Sequence, residues 1–330
     1  MRLILIATCI LLLTISPALA WSEAGHRIIA SIAFRQLTSF EQQRVLRVLS
    51  HHPRFREDFD QQLPNDFRGE GDAVVQAEWM LQQASIWPDK ARGFKGELHA
   101  EFHRSTWHYI NVPQFLTDQD RAALEPSLKI NLTLTTPTTP DNELNVVQTI
   151  RLARSVLADR RASDADKALM LTWLCHTVGD IHQPLHSTAL FSRKLFPEGD
   201  RGGNLVLTTQ RKNLHSLWDQ FPGDHIEFKA THDHAVKMLN DRRLNGLGHQ
   251  ATRQLDEKTW LDESLELART QVYTAEILGH LRQFEADPNI AKPSEITLSE
   301  AYLANGGHVA EQRVIEAGFR LGAVLKQVVQ

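Results

Sequence analysis

The sequence predicts an all-α fold: one helical domain over residues 21–330 with at most a small β-hairpin. Three observations lead there. Apolar residues recur at steps of three and four through several long segments. Strand-like alternation is scarce, and the irregular stretches between apolar segments lack the composition of domain linkers, with no internal repeat.

Taken in order, residues 1–20 stand apart. Arg2 supplies a short positive start, an apolar run extends from Leu3 to Ile15, and Ala18-Leu19-Ala20 forms a small-residue cleavage site, which together predict an export signal whose removal leaves Trp21 first. That run is too short to be a good anchor, and nothing later approaches the roughly 18 uncharged apolar residues of a spanning helix, so no membrane anchor is expected. A helix follows over Ile28 to Leu37, and Thr38-Ser39 with Glu41 marks the start of the next. His51 to Gly71 and Val112 to Asn142 read as irregular. Pro140-Asp141-Asn142-Glu143 provides a turn, followed by a cap before a helix over Val146 to Leu157. The next helix covers Leu169 to Ile181, and Pro184 should end or kink it. After an irregular stretch from Phe191 to Gly203, Leu205-Val206-Leu207 is the best strand candidate and would form the hairpin. Leu265 to Leu281 and Val309 to Val328 complete the helices.

Composition narrows the chemistry. Of 36 basic residues the signal takes Arg2, leaving 35 against 40 acidic ones, too few for a broad basic surface of the kind that holds duplex nucleic acid. Phosphate chemistry must then be local, in a cleft whose positive potential can come from bound metal ions. Of two cysteines the signal takes Cys9. Cys175 alone forms no internal disulfide, so stability must come from a large core or from metals.

The 16 histidines matter by spacing rather than number. His176 and Asp180 lie one turn apart on the stripe Leu169, Trp173, His176, Asp180, so two polar groups point inward on an otherwise apolar face. Alone, the pair fits a self-satisfied His–Asp couple as well as a metal site. His215 and Asp219 repeat the four-residue step, which favours metal. His186 follows Pro184 and need not share the face of His176, which suits a second ion, whereas a supporting or structural role suits His182. Asp89, in Ser85-Ile86-Trp87-Pro88-Asp89, is a carboxylate at a proline turn, where capping is the ordinary role, and His108 lies in an aromatic segment, where a core role is ordinary. Trp21-Ser22-Glu23-Ala24-Gly25-His26 sets an imidazole five residues after a liberated α-amine, itself a possible ligand because its pKa is near 8, together with the Trp21 carbonyl; the indole alone also fits a core plug.

This set resembles the zinc-dependent single-strand nucleases of the S1/P1 type, which are related to zinc-dependent phospholipase C. The similarity covers most of the chain after the signal. It is most specific in His176-Thr177-Val178-Gly179-Asp180-Ile181-His182-Gln183-Pro184-Leu185-His186, in Asp200-Arg201-Gly202-Gly203-Asn204, and in Asn213 to Asp219. The resemblance implies three zinc ions: one on Asp89, His108, His176 and Asp180, one on His186, His215 and Asp219, and one on Trp21, His26 and Asp180. An all-nitrogen-and-oxygen set is compatible with zinc. It implies hydrolysis by a metal-activated water, with 5′-phosphate products, 3′-nucleotidase activity, and catalytic roles for Asp89 and Arg92, whose permanent charge suits a transition-state phosphoryl group.

Tyr109 and Asn111 resemble the positions that stack on and hydrogen-bond a base, which would make single-stranded DNA, RNA and nucleotides the partners, with no stable protein partner implied. Better-known relatives have Phe and Asp there, so base preference is open. For Asn204, support of the site and turn formation fit equally. The lack of disulfides points to a periplasmic or secreted bacterial enzyme, in which the Asn131-Leu132-Thr133 sequon goes unused. A phospholipase C and a non-enzymatic exported zinc-binding protein are the competing readings.

Overall fold

The helix at the centre of the molecule is buried on every side along its C-terminal two thirds. In the computed structural model, which describes residues 21–68, 73–287, 289 and 292–329, that helix is α8, Asp164–His182. The expected export signal lies outside the described residues. From Met170 to His182 every residue of α8 is buried, which marks a core helix rather than an amphipathic surface one. Its first turn carries Asp164 and Asp166 under a Ser163 cap, and this polar start explains why apolar spacing detects the helix only from Leu169.

The elements before α8 are α1 (Glu23–Gln36), α2 (Ser39–Leu49), α3 (Phe55–Asp58), α4 (Ala73–Arg92), α5 (Gly96–Phe102), β1 (Val112–Phe115), α6 (Asp118–Leu124) and α7 (Val146–Ala158). After it come β2 (Thr188–Phe191), α9 (Leu214–Gln220), α10 (Phe228–Asn240), α11 (Arg242–Ala251), α12 (Glu257–Leu267), α13 (Ala275–Ala286) and α14 (Glu300–Val328). α7 and α4 flank α8, α14 and α1 cross behind them, and one apolar cluster joins all five through Ile29, Ile32, Leu81, Ile150, Leu171, Val178 and Leu321. The expected caps form: Thr38 and Glu41 make a capping box on α2, and Asn145 with Gln148 makes another on α7.

Five expectations need correction. Leu205–Leu207 is no strand, because Leu205 N–H and Val206 N–H donate back to Asp200 and Gly203 in a turn. The sheet consists of β1 and β2 in parallel, Val112 opposite Thr188 through Phe115 opposite Phe191, so there is no hairpin among the described residues. Pro88 does not make a turn either; α4 runs through it to Arg92, so Asp89 projects from a helix. The apolar segment from Leu265 to Leu281 is two helices, interrupted by a π-turn over Ala268–Val272 that leads into Tyr273, and α14 begins at Glu300, well before Val309.

Candidate metal centre

Apart from Trp21, which precedes α1, every candidate ligand comes from α8 or from an element packed around its C-terminal half. His26 comes from α1, Asp89 and Arg92 from the last turn of α4, His108 from the turn Ser105–His108, His176 and Asp180 from α8, His186 from the turn Pro184–His186, and His215 and Asp219 from α9. Pro184 opens that turn just after α8 ends at His182, so His186 leaves the face of His176. The parallel pair fixes His108 against His186: Ile110 N–H donates to the His186 carbonyl at 2.8 Å and Val112 N–H to that of Ser187 at 3.1 Å. Asn213 and Ser216 close a capping box at the start of α9, which aims His215 and Asp219 inward.

The side chains converge in three groupings, His26–His176–Asp180, Asp89–His108–His176 and His186–His215–Asp219, with the ligand atoms of each within 4.8 Å of one another. Asp180 sits between groupings. Its Oδ2 is 3.2 Å from His108 Nδ1 and 3.3 Å from His176 Nε2, while its Oδ1 is 3.4 Å from His26 Nε2 and 3.9 Å from His186 Nδ1. Trp21 is fully buried at the head of α1, and the next residue ties it to the site, Ser22 N–H donating to the Asp219 carbonyl at 2.8 Å. The Trp21 side chain offers only a donor, so any ligand atom it gives is on its backbone.

The imidazoles are oriented by backbone carbonyls. His176 Nδ1 lies 2.7 Å from the Ser85 carbonyl oxygen, His186 Nδ1 2.6 Å from that of His108, and His215 Nδ1 2.6 Å from that of Gly202. A carbonyl accepts only, so each Nδ1 carries the proton and each Nε2 presents a lone pair to the centre. His186 Nε2 and His215 Nε2 therefore face each other at 3.2 Å, an arrangement that calls for a shared cation. His26 Nδ1 and Nε2, His108 Nε2 and Asp180 Oδ1 are buried without hydrogen-bond partners among the described residues. Burial holds His26 down to about 4, lowers His108, His176 and His186, and pushes the carboxyls of Asp180 and Asp219 well up. Donors this poorly satisfied suit one occupant, a divalent cation bound by nitrogen and oxygen. Sulfur is not involved: Cys175 is buried on α8 outside the groupings, its thiol pushed up to about 12 by burial.

His182 points away. Its Nδ1 bonds the Val178 carbonyl at 2.7 Å and its Nε2 accepts from Arg320 at 2.9 Å, so of its two roles the structural one holds. Arg92 Nη2 lies 2.9 Å from Asp89 Oδ1 at the floor of a cleft of about 500 Å³, into which Tyr109, Asn111, His186, Asn204 and His215 also face. Tyr109 and Asn111 additionally line a neighbouring cleft of about 480 Å³. Asn204 both lines the site and forms its turn, Nδ2 donating to the Arg201 carbonyl at 2.7 Å.

Several contributors escape a reading of the sequence. Gln183 bonds Asp219 Oδ1 through Nε2 at 2.7 Å and receives Leu185 N–H on Oε1 at 2.6 Å, fixing a carboxylate and the His186 turn together. Its place inside the His176 to His186 motif is the available signal. The Ser85 carbonyl has none, since a backbone group leaves no mark in a sequence. Gly202 is visible only as turn chemistry: its φ is +59°, and a Cβ there would meet the Leu185 carbonyl oxygen at 2.4 Å, beside the carbonyl that orients His215.

The comparisons with known proteins agree with this geometry. A model of the S1/P1 Nuclease family matches residues 21–330. Endonuclease 5 of Arabidopsis thaliana is 22% identical over 353 residues, spanning 99% of this chain and 97% of the relative. Endonuclease 4 of the same plant is 24% identical over 334 residues, with 95% and 91% covered. Nuclease S1 of Aspergillus oryzae is 25% identical over 164 residues, 47% of this chain and 52% of that protein.

Proposed function

Because the chain belongs to the S1/P1 nuclease family and is a hydrolase of phosphodiester bonds, we propose that it is a zinc-dependent endonuclease of single-stranded DNA and RNA. Its products carry 5′ phosphates, and it also removes the phosphate of 3′-nucleotides. The observation that carries this reading is the convergence of three His–Asp groupings, rich in unsatisfied buried ligand atoms, beneath a cleft lined by Arg92 and Tyr109.

Three zinc ions would fit the donors: Asp89, His108, His176 and Asp180 would hold one, His186, His215 and Asp219 the second, and His26, Asp180 and the Trp21 backbone the third. Bound zinc supplies Lewis acidity and lowers the pKa of water to near neutrality. The chain's own residues do the rest. Asp180 aligns the groupings by offering both oxygens. Arg92 faces the reacting phosphoryl group with a planar guanidinium, held in place by Asp89. Tyr109 stacks on an unpaired base and Asn111 reads its edge, which favours a single strand because paired bases cannot reach the ring.

Export fits the same reading. Cleavage after Ala20 frees the Trp21 amine at the third site and directs the protein to the periplasm or the medium; a family match that starts at Trp21 supports it. The test is elemental analysis of the processed protein together with assays on single-stranded DNA, RNA, duplex DNA, 3′-AMP and phosphatidylcholine. About three zincs per chain with preferred cleavage of single strands is expected. Turnover of phosphatidylcholine without nucleic-acid cleavage would overturn the assignment.

A further inference from the structure

Arg201 is the one non-glycine among the described residues with a left-handed backbone, φ 58°, and it is followed by Gly202 at 59° and Gly203 at 80°. A side chain at such a position works against its own backbone, and glycine is the unstrained choice. The loop around it is held firmly. The buried Asp200 carboxylate receives the Leu190 N–H at 2.9 Å and the Tyr273 hydroxyl at 2.5 Å, and the Arg201 carbonyl receives Asn204 Nδ2. Yet the Arg201 guanidinium makes no hydrogen bond or ion pair among the described residues and is exposed at the cleft. Lys212, also exposed and also without an ion pair among the described residues, lines the same cleft just before the cap of α9.

The charge of this cleft is unlike that of the chain. The whole sequence carries a net −4, but the cleft lining contains Arg92, Arg201 and Lys212 and no carboxylate. Arg92 is engaged by Asp89 at the floor. The other two cations make no ion pair among the described residues, and one of them occupies a strained backbone.

We propose that Arg201 and Lys212 form a subsite for a phosphate of the nucleotide strand next to the one being cleaved, so that the cleft favours a polynucleotide over a mononucleotide. This rests on the nuclease reading and deepens it. A guanidinium and an ammonium held at a cleft rim suit a phosphodiester oxygen, and neutralising such phosphates releases counterions, giving binding that weakens with salt.

The test uses the zinc-loaded enzyme with Arg201→Gly, Lys212→Ala and both changes together. kcat and KM are measured across a salt series on a short single-stranded oligonucleotide and on a 3′-mononucleotide. For each single variant the preference in kcat/KM for oligonucleotide over mononucleotide is expected to fall about tenfold, chiefly through KM, and the salt slope to flatten by about 0.7 for each phosphate no longer neutralised. Arg201→Gly should melt at or above the temperature of the unaltered protein, since it relieves the left-handed strain. An equal loss on both substrates, or an unchanged preference and slope in Lys212→Ala, where no backbone strain confuses the result, overturns the subsite. If the unaltered protein turns over neither substrate, the nuclease reading itself fails, a different result because the subsite is judged by the ratio between substrates.

Discussion

A methyl group on Gly179 would sit 2.7 Å from Nδ1 of His26. α8 and α1 therefore meet at a distance only glycine permits, one residue before Asp180, and that approach sets His26 against Asp180 at 3.4 Å and stacks its ring on His176 at 4.1 Å. Gly179→Ala is expected to push His26 out of the centre at a cost of about 1 to 3 kcal/mol from overpacking. Metal analysis should find the protein short of the ion proposed for His26, with activity lower by about tenfold or more, as follows when a ligand is displaced from a metal that acts in the reaction. A variant with full metal content and full activity would show that His26 is not a ligand.

Variants of Arg92 and Asp180 would separate chemistry from assembly. Arg92 borders the cleft and is 13% exposed, whereas Asp180 is fully buried with an unsatisfied Oδ1. Arg92→Ala should keep its metal and lose about 10²- to 10³-fold in kcat, the usual cost of removing one preorganised charge at a reacting oxygen. Asp180→Asn should lose metal and activity together, yet in the presence of chelator it should unfold no more readily than the chelated parent, since the change removes a buried carboxylate that only a cation compensates. Full metal in Asp180→Asn would count against its position between the groupings.

How far the sequence discloses this architecture depends on whether a feature is a pattern or a meeting. The helices with an apolar face, and caps such as Thr38 with Glu41, are local and legible in sequence. The His–Asp pairs are legible because the four-residue step of a helix brings their members together. What stays hidden is non-local. The β1–β2 pair joins residues 112–115 to 188–191, too short to alternate visibly, and Asp89 reads as a turn residue because it follows Pro88, whereas α4 runs through that proline with Trp87 packed against Phe102 and His52. The carbonyl that orients His176 belongs to Ser85, 91 positions away, and no side-chain pattern announces a backbone oxygen.

Gln183 gives a test of the outer support. Its amide bridges Asp219 and the backbone of Leu185, so shortening it leaves the carboxylate free to rotate and the His186 turn uncapped. Gln183→Ala should weaken metal affinity by about 10- to 100-fold, read by competition with a chelator of known strength, while activity returns at saturating zinc. Loss of activity that excess zinc does not restore would place Gln183 in the chemistry instead.

The last test concerns stability away from the centre. Arg313 and Arg320, each 2% exposed, meet Glu263 behind α8: Arg313 Nη1 at 2.8 Å, Arg320 Nη1 at 2.6 Å and Arg320 Nη2 at 2.7 Å. Burial pushes the Glu263 carboxyl upward, but the Arg320 hydrogen bonds and the Arg313 charge outweigh it and draw the group down to about 2. A carboxyl lower in the folded chain than in the unfolded one stabilises the fold fully above its ordinary value near 4.5, and that contribution disappears as pH falls from there towards 2. With 35% of the side chain exposed, solvent screening reduces the contribution to about 2 kcal/mol. Glu263→Gln should therefore be less stable than the parent at pH 7 in urea unfolding, by that amount plus the cost of leaving two arginines short of their acceptor, and the gap should narrow by about 1 kcal/mol at pH 3. A gap of the same size at both pH values would mean that the carboxylate charge is not what holds α12 to α14.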